Sequence, residues 1–342
     1  MYKYTMKLGL VGATGLTGVE LTRLFYSHPY IEDFDLFSSS EGNDGIEIAD
    51  LYPHLKALKG KKLKLFSPEV LKNYDFVFLA TPHGVSQEIM PQLITNVGKI
   101  IDLSADFRIK DHNQYSYYYG KEHKCFELVN QFSYGLPEIY REEIKLAKYI
   151  AVPGCYSTAV ILALYPLARN NLVEGPAFIN GLSGVSGAGL KLDSSYLFSV
   201  VNEGLKPYSI KNNHRHIAEM TQELKIPLVF CPHLIPMTRG ILISCYVALK
   251  EGFKDSVIDV FKNAYLNEPF IKLVDKEVST KDVLYTNNCM INVSLVESSK
   301  FIIIFSVIDN LIKGAAGQAL QCFNLMAGFK EEAGLLEVGP WP

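Results

Sequence analysis

The chain has 342 residues, enough for two domains of ordinary size with an ample core. Its 33 Lys and Arg against 36 Asp and Glu, with 48% hydrophobic residues, describe a globular protein of net charge -3. Beyond KGKKLK at 59–64, read as a solvated loop, there is no basic run, so the footprint of a nucleic-acid or membrane-surface binder is missing. The longest apolar stretch, 159–168, is interrupted by Pro166 and falls far short of the roughly 20 residues a spanning helix needs. Glycines at 9, 12, 15 and 18 break up the start before an export-type core develops. The expectation is a cytoplasmic protein. Its six cysteines (125, 155, 231, 245, 289 and 322) contain no close pair, which fits neither a zinc ribbon nor a disulfide scaffold.

Strand-like runs at 7–11, 34–37, 75–80 and 99–104 alternate with helical patterns and predict parallel βαβ units. Between the first two, Val19, Leu21, Leu24 and Phe25 recur at roughly helical spacing until Pro29. The aromatic cluster YSYYY at 115–119 reads as surface packing in a long loop. After about residue 176 the composition turns β-rich, at 227–231, 240–249, 289–297 and 300–309. The last two runs form a hairpin joined across 297–300, and a helix falls near 255–266. Residues 310–329 return to helical spacing, with Gly314, Ala315 and Gly317 small enough for close backbone approach. The expected class is α/β: a Rossmann-type domain of residues 1–150 and 310–342, and an α+β domain of 151–309 with a mostly antiparallel sheet.

Gly12, Gly15 and Gly18 in GATGLTG follow a predicted strand and open a predicted helix, the context that gives a dinucleotide fingerprint its meaning. Glycine permits a turn tight enough to bring backbone N–H groups to a pyrophosphate at a helix N-terminus. Ala13, Thr14, Leu16 and Thr17 complete the loop, the threonines offering hydroxyl donors. The second strand ends in Ser38, Ser39 and Ser40, which tolerate a 2′-phosphate that a carboxylate would repel; NADP(H) is expected over NAD(H). Asp35 is the alternative, should that strand end earlier. The turn carrying Thr81 and Pro82 leaves another predicted strand and is expected to face the cofactor.

Cys155 follows a strand and a Pro-Gly turn and opens an apolar helical pattern. There the helix dipole favours a thiolate, which marks it as a candidate nucleophile. NNHRHIAEMTQEL supplies His214 and His216 near a predicted helix start, with Asn213 as N-cap; His214, at the positive end of that dipole, is expected to stay a neutral base. Glu219 lies one turn on, near Arg215 and His216. A metal reading of this cluster lacks a definite further ligand, so none is expected.

With the glycine turn, PGCYST and HRHIAE in this order, and SADFR, YGLPE, SGVSGAG, PHLIPMTRG and DNLIKGAAGQA besides, the sequence resembles the N-acetyl-γ-glutamyl-phosphate reductase family over nearly its whole length. The resemblance implies a semialdehyde-dehydrogenase-like fold, NADP(H), a small acyl phosphate substrate and a homo-oligomer, dimer or tetramer. By position it implies Cys155 as nucleophile, His214 as proton-transfer residue, and Arg108, Ser183, Tyr208, His216 and Glu219 in the substrate pocket. The segments 12–18 and 38–40, with Asn310 near the nicotinamide, belong to the cofactor site. Ala218 stands where the family often has proline, which implies a small change in where the helix begins. The same chemistry on an N-succinyl or longer aminoadipyl phosphate, or a non-catalytic NADP(H)-binding regulator, remains open.

Overall fold

In the computed structural model, residues 6–190, 193–253, 256–297 and 299–341 are described. They form two compact units: residues up to 112 with 122–153 and 315–335, and residues 113–121 with 154–314 and 336–341.

The first unit is built on a seven-stranded, all-parallel sheet: β1 (Leu8–Val11), β2 (Asp35–Ser38), β3 (Leu63–Leu65), β4 (Phe76–Leu79), β5 (Lys99–Asp102), β6 (Phe132–Tyr134) and β7 (Tyr149–Ala151), in the order β3-β2-β1-β4-β5-β7-β6. β1 and β4 are buried along their whole lengths, as expected when helices cover both faces. The order reverses between β1 and β4, so a ligand crevice is expected beyond their carboxyl ends, where the residue 12–18 and 81–84 turns leave the sheet. The KGKKLK segment is not simply a solvated loop. Leu63 is buried in β3, while Lys61 and Lys64 pair with Asp33 and Asp35.

The second unit has a mixed, mostly antiparallel sheet: β8 (Val173–Ser183), β9 (Lys206–Pro207), β10 (Leu228–Leu234), β11 (Ile241–Leu249), β12 (Ile271–Val274), β13 (Cys289–Leu295) and β14 (Phe301–Ile308), in the order β12-β13-β14-β11-β8-β10-β9. Only β8 with β10 and β12 with β13 run parallel. The β13–β14 hairpin forms as predicted, although Ser298 in its turn lies outside the described residues. The helix expected at 255–266 runs Val257–Ala264, and Asp255 also lies outside them. The central strand β8 went unread because EGP near its start and two glycines dilute its apolar alternation. The helix Cys155–Arg169 packs on β11 and β14 and buries almost every side chain, Pro166 included. The opposite sheet face leaves Phe178, Val229, Tyr246 and Phe301 exposed, with Tyr246 directly across from Phe178.

The 115–119 aromatics do not form the loop expected from the sequence. They belong to a helix, His112–Tyr119, in which Tyr115 is fully buried and stacks on Tyr119 at 4.7 Å.

Candidate active site

Cys155 is the first residue of the Cys155–Arg169 helix, with Gly154 as an extended N-cap. The carbonyl of Gly154 accepts from the N–H of Thr158 at 2.8 Å and from its hydroxyl at 3.1 Å. The N–H of Gly154 donates to Oε2 of Glu219 at 2.9 Å, and Glu219 is fully buried. A Cβ at position 154 would stand 2.5 Å from His216 Nε2, and one at position 314 would stand 2.8 Å from the Cβ of Cys155. Two glycines therefore let an imidazole and a second backbone close on the thiol-bearing turn. Cys155 is half-buried, whereas Cys125, Cys245, Cys289 and Cys322 are buried. Burial pushes the Cys125 thiol up to about 12 and that of Cys245 higher still, which keeps both inert as nucleophiles.

The helix after the histidines is His216–Leu224, so it begins later than an Asn213 cap requires. The His214 ring takes that place: its Nδ1 accepts from the backbone N–H of His216 at 3.2 Å. That bond assigns the ring proton to Nε2. Burial, with the Arg215 charge second, pushes the His214 pKa down to about 4. The neutral imidazole expected from the sequence thus arises mainly from desolvation, not from a helix dipole. The ring stands edge-on to His216 at 4.8 Å, Phe230 at 5.5 Å, and Tyr156 and Tyr208 each at 5.7 Å. The Tyr208 hydroxyl donates to that of Tyr156 at 3.5 Å, and burial pushes Tyr208 up to about 12.

These groups line a cavity of about 570 Å³ within the second unit, with Cys155, Tyr156, Ser183, Tyr208, His214 and His216 in its wall. Ser183 is buried and donates to the Gly184 carbonyl at 3.0 Å. Glu219 is not a wall residue; it sits behind the wall on Gly154. Asn310 is also committed inward, accepting from Gly240 N at 2.7 Å and donating to Ser186 Oγ at 2.9 Å. Tyr118, Ser195, Tyr196, Lys206 and Arg215 complete much of the wall, and none is expected there from the sequence. Lys206 and Arg215 lie within two residues of Tyr208 and His214, which was the available signal.

In the first unit, Gly12 (φ +82°) and Ala13 both donate to the Phe37 carbonyl, at 3.0 and 3.2 Å, and Gly15 donates back to Gly12 at 3.1 Å. A Cβ on Gly12 would overlap the Ala80 carbonyl, and one on Gly18 would meet the Ala13 Cα at 2.8 Å. The turn is thereby wrapped over the ends of β1 and β4. The helix Leu16–Ser27 begins there, so the N–H groups of Leu16 and Thr17 point out of its first turn without intrahelical acceptors. The Thr14 carbonyl accepts from the Tyr52 hydroxyl at 2.5 Å. Ser38 is buried and accepts from Ser40 N and Asn43 Nδ2 at 3.2 and 3.1 Å, leaving Ser39 and Ser40 exposed. Asp35 begins β2, at the end away from the glycine turn, and is held by Lys64 at 2.6 Å and the Tyr74 hydroxyl at 2.5 Å. It is not at the strand's carboxyl end.

Thr81 Oγ1 meets Ser86 Oγ at 2.9 Å and Pro82 is exposed. Beneath them Asp106 accepts from Gly84 N at 2.9 Å and pairs with His83 at 2.6 Å. Arg108 is buried in the first unit and donates to the Leu103 carbonyl at 2.7 Å. Among the described residues no group of three or more His, Cys, Asp or Glu side chains is arranged to hold a metal ion, and no helix is long and apolar enough to cross a membrane.

Residues 7–147 match the family model "Semialdehyde dehydrogenase, NAD binding domain" and residues 155–310 "Semialdehyde dehydrogenase, dimerisation domain". N-acetyl-gamma-glutamyl-phosphate reductases from Geobacillus stearothermophilus and Symbiobacterium thermophilum are 42% and 41% identical to the chain. Each comparison covers 98% of this chain, with 100% and 99% of the relatives. Solved aspartate semialdehyde dehydrogenases share the fold. The Vibrio cholerae enzyme II complexed with ASA has a TM-score of 0.70 at 17% identity, and the Candida albicans enzyme with NADP 0.68 at 14%; each match covers 95% of this chain and 99% of the other. The chain belongs to the N-acetyl-γ-glutamyl-phosphate reductase family.

Proposed function

We propose that the protein reduces N-acetyl-γ-glutamyl phosphate to N-acetylglutamate 5-semialdehyde and phosphate with NADPH, a step of arginine biosynthesis in the cytoplasm. The observation that carries this reading is Cys155 at a helix N-terminus in the wall of a cavity that also holds His214, His216 and Tyr208. A thiolate there attacks the acyl carbon, the C–O bond to phosphate breaks, and the acyl group is held as a thioester on Sγ. First-turn N–H groups of the Cys155 helix and the Nε2–H of His214 are the donors for charge that develops on the acyl oxygen. Glu219 positions the turn through Gly154. Ser183 and Tyr208 bound the acyl chain.

The glycine turn fits a dinucleotide: Gly12 and Gly18 leave no room for a Cβ, and its helix N-terminus presents open N–H groups to a pyrophosphate. Residues 12–18 would hold the pyrophosphate, Ser39 and Ser40 a 2′-phosphate, and Thr81 and Pro82 would border the same crevice. Asn310 would act by fixing the Ser186 and Gly240 loops. When bound, NADPH supplies the hydride that converts the thioester to aldehyde. The apolar sheet face around Phe178 and Tyr246 supports a homodimer or higher homo-oligomer.

The test is formation of NADPH, followed by its near-ultraviolet absorbance, from N-acetylglutamate semialdehyde, NADP and phosphate. NAD, the N-succinyl aldehyde and the aminoadipate semialdehyde serve as parallel arms. Turnover that requires phosphate and prefers NADP and the N-acetyl substrate supports the reading. Cofactor binding without turnover of any aldehyde would support the regulator instead.

A further inference from the structure

The cavity wall carries two cations that no carboxylate among the described residues pairs with. Lys206, on the two-residue strand β9, and Arg215, between the two histidines, both line it and are both exposed. Among the described residues neither side chain makes a hydrogen bond or ion pair, whereas Arg23, Arg141 and Arg239 each meet a carboxylate. No Asp or Glu among the described residues lines the cavity. A concave site with one sign of charge concentrates ligands of the opposite sign. The guanidinium fork suits a planar carboxylate or a phosphoryl group bidentately, and the ammonium adds a point charge. The charge of Arg215 is felt at both His214 and Tyr208, so it acts at the reacting end of the cavity.

Building on the reductase reading, we infer that Lys206 and Arg215 bind the oxyanions of the substrate and select for an acyl phosphate that also carries a carboxylate. The two sources of that chemistry, the α-carboxylate and the phosphoryl group, separate kinetically in the phosphate-dependent oxidation of the aldehyde. The KM for aldehyde reports the first and the KM for inorganic phosphate the second.

The experiment compares Lys206→Met and Arg215→Gln with Lys211→Met, an exposed lysine outside the cavity wall. Each cavity variant should raise at least one of the two KM values roughly ten- to hundredfold, the loss expected for a charge-assisted hydrogen bond, with kcat within about threefold. The control should leave both unchanged. A second readout needs no turnover: protection of Cys155 from iodoacetamide by inorganic phosphate and by N-acetyl-L-glutamate, each rate taken relative to the same variant without ligand. The half-protecting concentration of at least one should rise about tenfold or more in the cavity variants. Should no aldehyde be oxidised, the reductase reading falls while this second readout still decides the anion site. Half-protecting concentrations that match the parent protein within about twofold in both variants, or no protection of the parent by either anion, would overturn the inference.

Discussion

Oε2 of Glu219 accepts the backbone N–H of Gly154 at 2.9 Å, so a carboxyl on one helix fixes the residue that precedes the thiol on another. Both groups are buried. Glu219→Ala removes the acceptor and leaves a buried N–H unsatisfied, a loss of about 1–3 kcal/mol in unfolding free energy by urea titration. Glu219→Gln keeps an acceptor oxygen and should recover most of it. Turnover should follow the same order, with a slowed iodoacetamide reaction at Cys155 in the alanine variant. Equal alkylation rates in all three proteins would deny Glu219 a positioning role.

Gly314→Ala places a Cβ 2.8 Å from the Cβ of Cys155, with no flexible side-chain end to yield. Overpacking of this kind costs about 1–3 kcal/mol, and displacement of the thiol by about 1 Å costs on the order of 100-fold in rate. The expected outcome is a fall in kcat of that order, with NADP binding by fluorescence unchanged. Gly328→Ala, at a helix end with open space but a left-handed φ of +74°, should cost stability through backbone strain and leave kcat unaffected.

The low pKa of His214 makes a prediction with a definite sign. Folding lowers the pKa from 6.5 to about 4, so the unfolded chain binds the extra proton and the contribution of this group to stability is lost as pH falls through that window. Above pH 6.5 it is fully present. NMR titration of the His214 ring should show it neutral at pH 5.5. His214→Asn should depress kcat more than it changes KM. If His216→Asn does so instead, the two imidazoles exchange roles.

Asp102 behaves oppositely. It is fully buried near Asp106, and burial first, the neighbouring charge second, pushes it up to about 7. The folded protein holds a proton that the unfolded chain releases near 3.8, so stability from this group declines as pH rises from about 4 to 7. Asp102→Asn should flatten that part of the pH dependence of the thermal midpoint. An unchanged slope would show that Asp102 is already ionised at low pH.

Tyr246→Arg, on the exposed sheet face opposite Phe178, puts a charge into the proposed self-association surface. Light scattering should report a smaller assembly at equal concentration. An unchanged mass for both Tyr246→Arg and Phe178→Asp would remove this face from the interface.

Much of the fold was legible because strand-turn-helix junctions have local causes. Gly12 needs a positive φ against the Ala80 carbonyl, and that demand is written into GATGLTG. The Cys155 helix start was legible for the same reason: Pro153 and Gly154 precede an apolar helical pattern. What escaped depends on partners distant in sequence. Glu219 bonds Gly154 from 65 residues away, and no local pattern distinguishes that from a surface carboxylate. The late start of the His216–Leu224 helix reflects a ring nitrogen doing the work of a cap, which capping preferences do not anticipate. Tyr118 reaches the cavity from a helix whose aromatic spacing, with Tyr115 stacked on Tyr119, looks from sequence alone like surface packing in a long loop.

The most direct test of covalent chemistry at Cys155 is mass spectrometry of the protein mixed with N-acetyl-γ-glutamyl phosphate in the absence of NADPH. The predicted result is an N-acetylglutamyl adduct on the peptide containing Cys155, formed with release of one phosphate, lost on adding NADPH, and absent from Cys155→Ser. Aldehyde production at the parent rate by Cys155→Ser, or an adduct on another cysteine, would contradict it.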